Sequence, residues 1–214
     1  MAMPENRSID NEVRPPRPLL SARSEARLGA RHRVVLDQLE ELFLSEGYAS
    51  FTVRDLASHL RCSLRTLYEI APSKQELVLV VLDRFLHRVG RTALAAIDPD
   101  APVAERIREY FRGAIELQRW TLAFAEDSAD EPAVLRLLDS HFRYVTAVVE
   151  QLINEGIARS EMRPMDPRVA AAVLAGSGEF LIRTEIGSHI DRPLEDIVDE
   201  VIDVVLHGIA ATGS

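Results

Sequence analysis

A chain of 214 residues has room for one ample core or two modest ones, and its 47% hydrophobic and 28% charged residues exclude wholesale disorder. No apolar run approaches the roughly 18 residues that span a bilayer, the proline-bearing start lacks a signal-peptide core, and the lone Cys62 cannot close an internal disulfide, so a cytoplasmic, non-membrane protein is expected. The net charge of −9 is unevenly spread: residues 1–74 hold 11 Lys and Arg against 10 Asp and Glu, while the remainder holds 14 against 24. Between Arg14 and Arg33 the bases are Arg14, Arg17, Arg23, Arg27, Arg31 and Arg33, opposed only by Glu25. A basic segment on an acidic body is the footprint of a small DNA-binding module, although a solvated arginine-rich tail has the same charge.

Residues 1–23, with Pro4, Pro15, Pro16 and Pro18 and no hydrophobic period, predict a flexible basic tail. A helix is expected from about Ser24, carrying Leu28, Val35, Leu39, Leu42 and Phe43 and ending on Gly47 as a left-handed cap. Thr52 and Asp55 have capping-box spacing ahead of a short helix with Val53, Leu56, Ala57 and Leu60 on one face. After a turn at Arg61 and Cys62, Ser63 caps a second short helix, which Pro72 stops. Ser73 and Glu76 then open a longer helix to about Ala96. Further helices are predicted from Pro102 to about Gln118, from Trp120 to Glu126, and from Pro132 to Glu155, the last stopped by Gly156. Asp166 and Pro167 start another, to about Gly187, and Pro193 starts the last one, with Glu195 and Asp196 matched to its dipole. Nothing alternates with period two, so the expected fold is all-α with roughly nine helices.

Two short helices joined by a tight turn are the pattern of a helix-turn-helix. Val53, Leu56, Ala57, Leu60, Cys62 and Leu67 would fill a small core between crossing helices. Ser63, Leu64, Arg65, Thr66 and Tyr68 would then line an outer face of hydroxyls and one guanidinium, groups suited to phosphates and base edges. Any helical hairpin has a polar outer face, so the alternative on spacing alone is a helical protein-interaction module that binds no DNA.

Four blocks in order narrow the choice: Phe43–Tyr48 (FLSEGY), Thr52–Ala57 (TVRDLA), Ser63–Tyr68 (SLRTLY) and Ser73–Leu77 (SKQEL). In sequence and spacing they resemble the tetracycline-repressor (TetR) family. Three positions depart from the family pattern: Arg61 stands where a turn glycine is common, Cys62 replaces a small aliphatic, and Ile70-Ala71 replaces a His-Phe pair. The resemblance implies a helix-turn-helix DNA-binding domain over 24–72 and a helical ligand-binding and dimerisation domain over 73–214. It implies a regulator, a repressor, that binds a palindromic DNA operator as a homodimer and leaves it when a small, largely apolar effector binds. Thr52, Tyr68 and Lys74 would hold phosphates, and Ser63, Leu64, Arg65 and Thr66 would meet the groove. Arg27 and Arg31 would approach the duplex flank. Ala171, Ala175 and Gly178, with Val201, Val204 and Val205 of the last helix, are the expected dimer interface.

An effector pocket is expected from Tyr110, Phe111, Trp120, Phe124 and Phe142, with Arg143 and Thr146 as polar anchors. No cofactor or metal is expected: the histidines His32, His59, His87, His141, His189 and His207 form no pair at metal-ligand spacing. No phosphate-binding glycine loop appears either, since Gly176-Ser-Gly178 falls within a predicted helix as a close-packing patch. An enzyme is therefore not expected. Cys62, at a core position of the turn, is expected to pack rather than to sense redox state.

Overall fold

The computed structural model describes residues 13–114, 126–183 and 192–209, and its elements are helices. In chain order they are α1 (Ala22–Arg27), α2 (Ala30–Glu46), α3 (Val53–His59), α4 (Leu64–Ile70), α5 (Lys74–Ala95), α6 (Val103–Gly113), α7 (Pro132–Ala158), α8 (Pro167–Arg183) and α9 (Leu194–Ile209). The chain divides into two compact units. One holds residues 17–91 together with 126–139, and the other holds 13–16 and 92–114 with 140–183 and 192–209.

In the first unit, Val35, Leu36, Leu39, Leu42 and Phe43 of α2 are buried with Leu56 of α3, Leu67 of α4, and Leu77, Val81 and Phe85 of α5. The single helix expected from Ser24 is divided in two at Leu28 and Gly29. Ser21 caps α1 by accepting from Ser24 N–H at 3.1 Å, and Gly29 stands at the N-cap of α2. Leu28 lies in the break yet is 7% exposed, so it continues the apolar period although the helix is interrupted. Gly47 ends α2 as expected, at φ 75°, where a side chain would be strained.

Residues 13–20 are not helical but do make contacts. Leu19 N–H donates to Asp83 Oδ2 at 2.8 Å, and Pro18 and Leu20 line a groove of about 520 Å³ between α2 and α5. The loop after α2 is tied to a distant part of the chain. Asp127 Oδ2 accepts from Tyr48 N–H at 2.5 Å and from Ala49 N–H at 2.7 Å, while Tyr48 Oη donates to the Asp127 carbonyl at 2.7 Å.

The core of the second unit is built from Val103, Ile107 and Tyr110 of α6, Val148, Val149, Leu152 and Ile153 of α7, Ala170, Ala171 and Leu174 of α8, and Ile202 and Leu206 of α9. Arg112 reaches Asp199 of α9 at 2.8 Å, and Arg108 pairs with Asp203 of the same helix. Gly156 does not stop α7, which continues to Ala158. A Cβ on Gly156 would stand 2.9 Å from Met162 Sδ and 3.2 Å from Val103 Cγ1, so this glycine permits close packing inside the helix. Gly156→Ala is expected to destabilise the second unit by about 1–3 kcal/mol through overpacking. Thermal unfolding checks it, and an unchanged midpoint would mean that Met162 moves aside freely.

Candidate nucleic-acid interface

The segment from Thr52 to Lys74 is a set of caps. Thr52 and Asp55 form the expected capping box at the start of α3: Asp55 N–H donates to Thr52 Oγ1 at 3.2 Å, and Thr52 N–H donates to Asp55 Oδ2 at 2.9 Å. The Thr52 hydroxyl also donates to that carboxylate, at 2.6 Å. These bonds, the side-chain one first, hold the Asp55 carboxyl below its ordinary range. Ser63 caps α4 by accepting from Thr66 N–H at 3.0 Å, and the two hydroxyls lie 2.9 Å apart. Ser73 accepts from Glu76 N–H at 3.1 Å at the start of α5.

Between α3 and α4 the chain turns through Arg61, at φ 48°. A non-glycine residue in this left-handed region costs about 1–2 kcal/mol, and the turn is secured from outside. Arg31 of α2 donates through Nη2 to the carbonyls of Leu60 at 3.0 Å and Arg61 at 2.8 Å. Its neighbour His32 reaches α4, with Nε2 3.0 Å from Glu69 Oε2. Glu69 in turn accepts from Arg65 Nε at 2.8 Å through its other oxygen. The two partners hold the Glu69 carboxyl below its usual range, Arg65 contributing more than His32, and Glu69 raises Arg65 in return.

The expected contact residues fall into two groups. Leu64, Arg65 and Tyr68 are exposed on the outer face of α4, with Tyr68 half in solvent at 51%. Ser63 is exposed and Thr66 half-buried beside it. Lys74 bends toward the loop before α3, where Nζ donates to the Ala49 carbonyl at 3.0 Å and lies 5.9 Å from the centre of the Tyr48 ring; burial lowers its pKa. Arg27 is exposed at the end of α1. Sequence reasoning missed His32 and Glu69. The i, i+4 spacing of Arg65 and Glu69 was the one available signal. Burial raises the Cys62 thiol above its usual value, which opposes a reactive thiolate.

Elsewhere, Tyr110 is buried with its ring 5.8 Å from Phe111 in an edge-on contact, Phe142 is half-buried, Arg143 exposed, and Thr146 donates to the Phe142 carbonyl at 3.0 Å. Trp120 and Phe124 lie outside the described residues. Ala171 and Ala175, expected at an interface, are packed in their own unit's core at 0% and 2% exposure, and Gly178 faces Phe111. Val201 and Val205 are half-buried, and Val204 is 70% exposed. On α5, Asp83 and His87 form a pair at 3.2 Å, but Asp83 also holds the Leu19 amide.

Residues 35–81 match the sequence model for bacterial regulatory proteins of the tetR family, and this stretch spans most of α2, both short helices and the first turns of α5. Over these residues the chain is similar to the tetR family's regulatory domain. A curated relative, the HTH-type transcriptional regulator YvaF of Bacillus subtilis strain 168, is 25% identical over 83% of this chain and 94% of its own. Among solved structures, a tetR-family regulatory protein from Rhodococcus RHA1 superposes with TM-score 0.66 at 18% identity, covering 87% of this chain and all of the other (100%). SmeT, the repressor of the Stenotrophomonas maltophilia multidrug efflux pump SmeDEF, gives TM-score 0.66 at 18% identity over 85% of this chain and 91% of its own. These two structures are alike in fold. Beyond residues 35–81 they show a likeness of fold alone.

Two outcomes follow from this geometry. Arg31→Ala should lower stability by about 1–2 kcal/mol, because two turn carbonyls lose a charged donor; equal denaturation midpoints for variant and wild type would show the clasp to be idle. The Asp55 carboxyl, lowered in the folded state, supports α3 above the ordinary carboxylate range and loses that effect as pH falls through its lowered value. Amide protection at Thr52 and Asp55 should therefore fall below about pH 4. Protection that stayed constant down to about pH 2 would contradict the box.

Proposed function

We propose that the protein is a repressor that binds a palindromic operator as a homodimer and leaves it when a small, largely apolar effector binds. The observation that carries the proposal is the outer face of α4, where Leu64, Arg65 and Tyr68 stand exposed on a helix capped at its start and tied to α2. Arg65 would take a guanine edge through two hydrogen bonds, Leu64 would meet a thymine methyl, and Ser63, Thr66 and Tyr68 would hold the duplex in register. Thr52 and Lys74 would reach phosphates on either side, and Arg27 the flank. Arg31 is better suited to supporting the turn than to reaching DNA, since its guanidinium already serves two carbonyls.

A seven-residue helix reads few base pairs, so useful specificity needs a second copy on the neighbouring half-site. The surface suited to pairing is a shallow apolar groove of about 510 Å³ lined by Ala172, Val173, Gly176 and Phe180 of α8 and Val201 of α9. Val169, Val173, Phe180 and Val204 are exposed at 62%, 49%, 54% and 70%. Val173 and Phe180 line that groove, and an exposed apolar patch of this kind marks an interaction surface; Gly176, with open space where its Cβ would be, allows another helix to approach closely. The effector would be met by Tyr110, Phe111 and Phe142, with Arg143 and Thr146 as polar anchors. Repression is supported by the likeness in fold to the repressor SmeT.

Duplexes selected from a random library by the wild-type protein should contain an inverted repeat whose halves lie about 34 Å apart, or a multiple of that. Val204→Glu should give a folded monomer, by sedimentation and circular dichroism, that binds such a duplex at least about a hundredfold more weakly, because only one half-site remains engaged. A dimeric variant would place the interface elsewhere, and a monomer binding at full strength would remove dimerisation from the mechanism.

A further inference from the structure

Arg65 is the residue on α4 best able to identify a base pair, and its conformation is not left to solvent. A surface Arg–Glu pair one helical turn apart is ordinarily a weak and mobile contact. Here the carboxylate has a second anchor. Glu69 Oε1 accepts from Arg65 Nε at 2.8 Å, while Glu69 Oε2 lies 3.0 Å from His32 Nε2 on α2. A carboxylate can only accept, so His32 Nε2 carries the proton of that bond. The His32 side chain is 20% exposed, against 87% for Arg65 and 44% for Glu69, so the chain of three runs from a packed ring to a guanidinium in solvent.

The atom that Glu69 takes is Nε. Arginine can approach the O6 and N7 acceptors of guanine side-on, through Nε and one terminal nitrogen, or end-on, through both terminal nitrogens. With Nε already bonded, the end-on fork remains for a base. Holding the chain in place also removes rotamer freedom before DNA arrives, lowering the entropic cost of the contact.

We infer that Glu69, steadied by His32, is a specificity-determining positioning residue that presents the terminal nitrogens of Arg65 end-on to a guanine. The inference rests on the reading of Arg65 as a base contact and deepens it. Glu69 itself touches no base in this arrangement, and its negative charge near the phosphates works against affinity. Its contribution is selectivity.

The test uses the full-length protein and duplexes recovered by the wild type from a random library, each then substituted one base pair at a time. Arg65→Ala locates the base pair that Arg65 reads. Glu69→Ala and Glu69→Gln should lower the guanine preference at that same base pair roughly tenfold and leave the other positions unchanged. Affinity for unrelated duplexes should hold or rise, because a negative charge has been removed. His32→Ala should reproduce part of the loss, and His32→Gln, whose amide can donate in place of Nε2, should restore it. A Glu69 variant that weakened binding to every duplex alike would show Glu69 to be a scaffold residue and overturn the inference. Unchanged base preference in both Glu69 variants, with Arg65→Ala still effective, would overturn it alone. If Arg65→Ala left every base preference intact, the underlying reading of Arg65 would fail, and this inference with it.

Discussion

Two helices of seven residues each cannot hold their shape unaided, because a first helical turn is costly to nucleate and so few residues follow it. The helix-turn-helix of this protein depends on how that deficit is met. Buried Leu56 and Leu67 supply part of the answer, and two consecutive residues of α2 supply the rest. Arg31 holds the carbonyls at the end of α3, and His32 holds the carboxylate at the end of α4. One short stretch of α2 thereby sets both the turn and the helix that follows it. The strained backbone at Arg61 is tolerable because the carbonyls beside it have a charged donor.

That arrangement divides the polar residues of the motif into those that build and those that remain available. Arg31, Asp55 and Ser73 are engaged in holding the frame. Thr52 and Ser63 cap helices through their hydroxyls and are still exposed at helix N-termini, where a phosphate would meet free N–H groups. Arg65 and Tyr68 stand exposed on the outer face of α4. The loop carrying Tyr48 and Ala49 is fastened by Asp127, so the positions of α3 and Lys74 are linked to a segment 79 residues downstream of Tyr48.

Much of this was legible in the sequence where the interaction is local. The capping box at Thr52 and Asp55 and the caps that Ser63 and Ser73 provide span three residues each, and Gly47 marks its cap by itself. Local signals failed where distant packing decided. Leu28 keeps the apolar period across a break, so periodicity alone joins α1 to α2. Gly156 looks like a terminator until Met162 and Val103 are placed against it. On α8 the small residues run consecutively, and a step of one residue rotates the face by about 100°. Ala171 and Ala175 therefore turn to the core while Ala172, Val173 and Gly176 line the open groove. Glu69 was overlooked because its partner on α2 lies 37 residues away.

The central claim is that α3, the turn and α4 act as one braced surface that meets DNA. Hydrogen–deuterium exchange of the full-length protein, with and without a duplex it has selected from a random library, tests this directly. Protection on binding should concentrate in residues 52–74, including the turn at Arg61 and Cys62, with α8 and α9 unchanged. Binding that left 52–74 unprotected and slowed exchange elsewhere would contradict the account.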